Sequence, residues 1–162
     1  MNILAIDPST TIVGWAFGNS SKLISFGIVK GDTKKDPLDR MPDIARDIAL
    51  SVKSTGANCT HLIMEEPVNW ASEKGGKAAL SGALCQLSLG AGFLYGALQS
   101  MLYPGSATTV TVNKWKGQLP KGILFDRMCK KYRLTMKPTG ANFNATDAIG
   151  IMDWYLEQLK GE

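Results

Sequence analysis

The sequence predicts an α/β domain built on a mixed five-stranded sheet, and three observations predict it. Short apolar runs of strand length are interspersed with segments of helical period. The first three runs are separated only by a few turn-forming residues, which makes them an antiparallel meander. After them helix and strand alternate, the pattern of parallel strands joined through helices. The 162 residues suit one domain spanning 1–162, with no repeat, low-complexity tract or linker to divide it.

Asn2 to Ile6 is a continuous apolar run that ends in Asp7-Pro8 and reads as a strand buried on both faces. Ser9-Thr10-Thr11 turns the chain into a second strand, Ile12 to Gly18. Asn19-Ser20-Ser21 turns it again into a third, Leu23 to Val29. From Pro37 to Ser54, apolar residues recur at Leu38, Met41, Ile44, Ala45, Ile48, Ala49 and Val52. That is a helical period, with proline at its start and Gly56 just past its end.

His61 to Met64 is the fourth strand and runs into Glu65-Glu66-Pro67, followed by a loop over 68–77 that holds Trp70, Lys74 and Lys77. Residues 78–102 are expected to form a long helix with Ser88, Gly92, Gly96 and Ser100 four apart on one face. Small residues at that spacing admit another backbone, either the sheet or a second subunit. Thr108 to Val112 is a β-branched fifth strand. Lys114 to Arg133 is mostly helical with a break at Pro120, and Asn144 to Leu159 is the closing helix.

Composition excludes several classes. Apolar residues are 44% and charged residues 20%, so intrinsic disorder and fibrous architectures do not fit. A two-lobed kinase of the actin type needs about twice this chain. Residues 78–112 lack charge, yet their serines, glycines, Gln86 and Gln99 favour a buried helix over a membrane span. Cys59, Cys85 and Cys129 match no zinc or redox spacing, so reduced thiols in the cytoplasm are expected. The first residues have no basic segment and meet Asp7, unlike a signal peptide.

The net charge of +4 permits a polyanionic partner without demanding one. Its distribution says more. Lys114, Lys116, Lys121, Arg127, Lys130, Lys131, Arg133 and Lys137 stand against Asp126 alone. This segment is either a solvated helix face or a surface that contacts phosphates.

Two apolar strands each finish in a carboxylate, Asp7 and Glu65. As parallel neighbours, strands about 4.8 Å apart, they bring both acids to one edge of the sheet, where open α/β sheets bind ligands. Two carboxylates ~4 Å apart cost about 4 kcal/mol at an effective dielectric near 20. A shared proton or an intervening cation relieves that cost. Oxygen ligands without His or Cys favour magnesium or manganese over zinc. Asn144 and Asp147, three apart at an apolar helix start, are the candidates to complete the group, although Asn with an acid three residues on is also an ordinary helix cap.

Ile6-Asp7-Pro8-Ser9-Thr10-Thr11 with Gly14-Trp15-Ala16, Ile63-Met64-Glu65-Glu66, and Asn144-Ala145-Thr146-Asp147-Ala148-Ile149-Gly150 together resemble the RuvC-type Holliday-junction resolvases, nearest to their short bacteriophage versions. The resemblance extends in order and spacing over nearly the whole chain. It implies a ribonuclease-H-like fold, a homodimer through the 78–102 helix, and metal-dependent cutting of four-way DNA junctions in a bacterial cytoplasm. It implies two magnesium or manganese ions held by Asp7, Glu65 (or its neighbour Glu66), Asn144 and Asp147. Family members often have Asp or His where Asn144 stands. Thr111 to Lys116 with Pro120-Lys121 resembles the segment whose lysines approach the scissile phosphate, here Lys116 and Lys121.

Lys114, Lys74 and Lys77 are further candidates for DNA contact. Trp115 is either a base-stacking aromatic or a core residue. Two other readings stay open: a branched-DNA-binding protein without catalysis, which Asn144 favours, and a nucleotide-binding fragment, since Asp7 to Thr11 resembles the first phosphate loop of the actin and sugar-kinase superfamily.

Overall fold

Side-chain alternation along β1 (Asn2–Asp7) decides the architecture: Leu4 and Ile6 enter one apolar layer, Ile3 and Ala5 the other. In the computed structural model, which describes residues 1–67 and 82–160, β1 is the central strand. β2 (Ile12–Asn19) and β3 (Leu23–Lys30) extend the sheet antiparallel on one side. β4 (His61–Glu66) and β5 (Ser106–Thr111) extend it parallel on the other. The strand order β3-β2-β1-β4-β5 is the mixed five-stranded sheet the sequence predicts.

One face is covered by α1 (Met41–Lys53) and α2 (Ala83–Leu102), whose Ile44, Ile48, Leu94 and Leu98 pack on Leu4, Phe17, Leu62 and Met64. The opposite face is covered by α5 (Gly140–Gln158) and α4 (Lys121–Tyr132), whose Ile149, Met152, Leu124 and Met128 pack on Ile3, Ala5, Ala16 and Ile63. Between β5 and α4 lies the single-turn helix α3 (Val112–Trp115).

Several boundaries differ from the sequence reading, each for a local reason. α1 begins at Met41 rather than at Pro37; Pro42 then falls in the first turn, where a missing N–H is tolerated. α5 begins at Gly140, not Asn144, because Thr139 is extended and its hydroxyl accepts from the Asn142 amide. Asn144 is therefore inside the helix and is not its cap. β5 starts at Ser106, two residues early, paired with His61.

The expectation of a buried helix over 78–102 is corrected in its described part: only Gly90, Ala91, Leu94 and Leu98 of α2 are buried, while Leu89 is 61% and Phe93 49% exposed. Ser88, Gly92, Gly96 and Ser100 are exposed too, and a Cβ built at Gly92 or Gly96 meets nothing within 4 Å among the described residues. The small-residue stripe thus does not serve packing on the sheet. Among the described residues no helix is long and apolar enough to cross a membrane.

Candidate active site

The register of β1 and β4 brings the strand-end acids together. Ile6 pairs with Met64, so the next residues, Asp7 and Glu65, end neighbouring parallel strands. Each has the parity of Ala5 and Ile63, and so faces α5. Glu66 has the opposite parity and is exposed on the α2 side. Of the two adjacent glutamates, Glu65 is the one beside Asp7. Asp147 is buried on α5, a helix held so close to β2 that a Cβ at Gly14 would lie 2.0 Å from the Asn144 carbonyl oxygen.

β5 ends at the same edge as β4, and α3 folds back from it at once. Trp115 Nε1 thereby donates to Glu65 Oε2 at 2.8 Å. Lys116 Nζ stands 2.7 Å from Asp147 Oδ1, and Lys121 Nζ, at the start of α4, 3.2 Å from Oδ2. Trp115 is buried among Ile63, Leu124 and Ile149, which settles its reading as a core residue and removes it as a base-stacking one.

Three carboxylates against two ammoniums leave the cluster short of positive charge. Burial, and then the charges of Glu65 and Asp147, hold the Asp7 carboxyl well above the usual carboxylate range; Lys121 and Lys116 offset this only in part. Burial also pushes Glu65 up, against the Trp115 hydrogen bond that lowers it. For Lys121 burial opposes the charge, yet Asp147, Asp7 and Glu65 together raise it above an ordinary lysine.

The remaining sequence candidates separate. Asn144 Nδ2 donates to the Ile12 carbonyl at 2.7 Å, tying α5 to the start of β2 and leaving only its amide oxygen as a donor atom for an ion. Lys114 Nζ stands over the Trp154 ring, 5.9 Å from its centre. Trp70, Lys74 and Lys77 lie outside the described residues.

The sequence reading missed two contacts. The Trp115–Glu65 bond had no local signal. Arg40 is buried one residue before α1 and donates from Nη1 to the Thr10 carbonyl at 2.9 Å and from Nη2 to the Lys35 carbonyl. It clasps the turn that follows Asp7.

As they stand, no three acids, cysteines or histidines among the described residues converge closely enough to hold an ion, and both Asp147 oxygens are bonded to lysines. The donor chemistry nevertheless fits a hard divalent cation. Asp7 and Glu65 offer carboxylate oxygens at an edge whose electrostatics call for added positive charge.

No protein-family model matches the sequence, and no curated protein does. Solved structures are similar to it. Thermus thermophilus RuvC in complex with a Holliday junction substrate matches with a TM-score of 0.67 at 15% identity, over 98% of this chain and 96% of that one. Another Thermus thermophilus RuvC structure matches with a TM-score of 0.64 at 15% identity, with the same coverage. The chain has the RuvC-like, ribonuclease-H-like fold.

Proposed function

We propose that this protein is a metal-dependent, structure-selective endodeoxyribonuclease that cuts four-way DNA junctions as a homodimer. The observation that supports it best is the meeting of Asp7, Glu65 and Asp147 with Lys116 and Lys121 at one sheet edge, in the fold of a protein solved on a Holliday junction.

Asp7, Glu65 and Asp147, with the Asn144 amide oxygen, would hold magnesium or manganese, two ions in the full reading. Bound there, the ions supply an activated water and charge stabilisation for the leaving oxygen. Trp115 fixes the orientation of Glu65 by occupying one of its oxygens. Lys116, whose side chain is 7% exposed, holds Asp147 in place, whereas Lys121, 59% exposed, is free to turn from Asp147 to a phosphate. The basic stretch from Lys114 to Lys137 binds DNA through its backbone, by charge and shape.

The exposed stripe of α2, flanked by Leu89 and Phe93, is the dimer contact in this reading. Two copies place two cutting sites on a substrate with two equivalent strands.

A second reading, a junction-binding protein without catalysis, draws on the double lysine clasp of Asp147. One experiment separates the two. Four-way junctions, forks, flaps and linear duplexes are incubated with the protein in magnesium or manganese. Paired symmetric nicks in the junction, absent with Asp7→Asn although that variant still binds, are expected. Binding by the wild type with no cutting in any divalent ion overturns the nuclease reading and leaves the second.

A further inference from the structure

Just before α1, Arg40 is only 6% exposed, a guanidinium taken almost wholly out of water. Among the described residues its partners are not carboxylates but two main-chain carbonyls, those of Thr10 and Lys35, and its Nε is buried without a partner. We infer that Arg40 is a positioning residue of the cutting site: it holds the turn from Pro8 to Thr11, and through it the main chain of Asp7, where ion binding needs it. The inference rests on the nuclease reading above and deepens it to what fixes the geometry of the ion site.

Asp7 needs such a hold. It is the last residue of β1 and is paired on one side only, with Gly14 of β2, because the pairing with β4 stops at Ile6 and Met64. Glu65 and Asp147 repel its carboxylate, so this strand end is pushed while the sheet restrains it from one side. The turn that leaves it is tied at three consecutive carbonyls. That of Thr10 accepts from Arg40 Nη1 at 2.9 Å, that of Thr11 from the Gly31 amide at 2.8 Å, and that of Ile12 from Asn144 Nδ2 at 2.7 Å. The Arg40 bond is the one nearest Asp7 along the chain, and its donor is charged, which makes it the strongest kind of the three. Through the Lys35 carbonyl the same side chain fastens the turn to the loop before α1.

Stability by itself does not call for a guanidinium here. A buried charge without a carboxylate is costly, and an apolar side chain of similar volume fills such a place at less cost. What an apolar side chain lacks is a planar fork of donors that ties two separate segments at a fixed distance and angle. The chain also makes room for that fork. A Cβ at Gly31 would collide with Arg40 Cδ and crowd its Cγ. Gly31 is not in the left-handed region, so its missing side chain serves space and not backbone freedom. A rule of burial broken beside a cluster of acids marks a functional constraint.

The test compares the wild type with Arg40→Met, which removes the clasp, and Gly31→Ala, which keeps Arg40 but displaces it. Each is assayed below its own Tm on four-way junctions at saturating manganese, and manganese binding is followed separately by electron paramagnetic resonance of the free ion. Without the clasp, kcat is expected to fall about ten- to a hundred-fold, with KM for the junction unchanged within about two-fold. The Kd for manganese is expected to rise by about ten-fold. Gly31→Ala is expected to move both quantities in the same direction, so the test stands even if Arg40→Met does not fold. Variants that melt earlier yet keep kcat and the manganese Kd within about two-fold of the wild type assign Arg40 to packing and overturn the inference. A rise in KM alone, the sign of lost DNA contact, overturns it too, and in both cases the nuclease reading stands. If the wild type cuts no junction, the nuclease reading fails on its own and the manganese Kd decides. Weaker binding in the variants then sustains the clasp; equal binding, or none by the wild type, overturns it as well.

Discussion

Lys116 and Lys121 bond the two oxygens of one carboxylate, that of Asp147, at 2.7 and 3.2 Å, but from unequal surroundings. The Lys116 and Asp147 side chains are 7% and 6% exposed, while Lys121 is 59% exposed. Removing one partner of a buried pair leaves an uncompensated charge, whereas an exposed pair is screened by water. Lys116→Ala is therefore expected to cost ~2–3 kcal/mol of stability, softened by the remaining lysine. Lys121→Ala is expected to cost under ~1 kcal/mol. Urea unfolding of the two variants measures the difference; equal losses would show that burial does not set it.

Asp7 stands in the opposite balance. Burial, Glu65 and Asp147 raise its pKa in the folded state above the unfolded value of about 3.9. The folded protein then keeps a proton that the unfolded chain has released. Stability accordingly falls as pH rises from the unfolded value through the folded one, and the loss is complete above the latter. Asp7→Asn abolishes this penalty, so at pH 7 without metal its Tm is expected to exceed that of the wild type. For a chain of this size the gain is ~2–4 °C per kcal/mol of repulsion relieved. The advantage disappears below about pH 3.9, where aspartate is protonated in both states. Magnesium or manganese is expected to raise the Tm of the wild type more than that of the variant. Thermal scans across pH check both signs, and a variant less stable at neutral pH contradicts the electrostatic account.

Trp115 donates to Glu65 and favours its charged form. Trp115→Phe keeps an aromatic in the core but loses the donor, so the Glu65 pKa rises further. Junction cleavage that needs ionised Glu65 is then expected to move its acidic limb to higher pH, which a pH–rate profile in manganese measures. The smaller ring also leaves a void costing ~1–3 kcal/mol, seen independently in urea unfolding. A lower overall rate with an unmoved acidic limb assigns Trp115 to packing alone.

Among the described residues, a Cβ added at Gly96 meets nothing within 4 Å. Gly96→Ala is expected to stabilise α2 by up to about 1 kcal/mol through helix propensity. Gly96→Leu fills the stripe and is expected to shift the protein from dimer to monomer in sedimentation experiments without unfolding it. A wild type that sediments as a monomer at all concentrations rules out the dimer contact.

The strands and helices were legible because their signals are local. Asn2 to Asp7 announces a buried strand ending in an acid within six residues, and Met41 to Val52 shows its helical period without help from the rest of the chain. The helix ends were less legible, since Thr139 and Asn144 are both good caps in isolation and only the path of the chain into α5 chose Thr139. The nature of the site, oxygen donors at a sheet edge with lysines nearby, was also readable, because strand-end acids are conspicuous in apolar runs.

By itself the sequence determined the order of elements, the buried first strand and the candidate acids. Tertiary structure alone decided their partners. Lys116 and Asp147 are 31 residues apart and Trp115 and Glu65 are 50 apart, distances over which no periodicity speaks. The same holds for the two glutamates. With Ile6 paired to Met64, Glu65 joins Asp7 and Glu66 is exposed on the α2 side. A slip of one residue between β1 and β4 would exchange them, because strand side chains alternate with a period of two and register is set by what the whole sheet must bury.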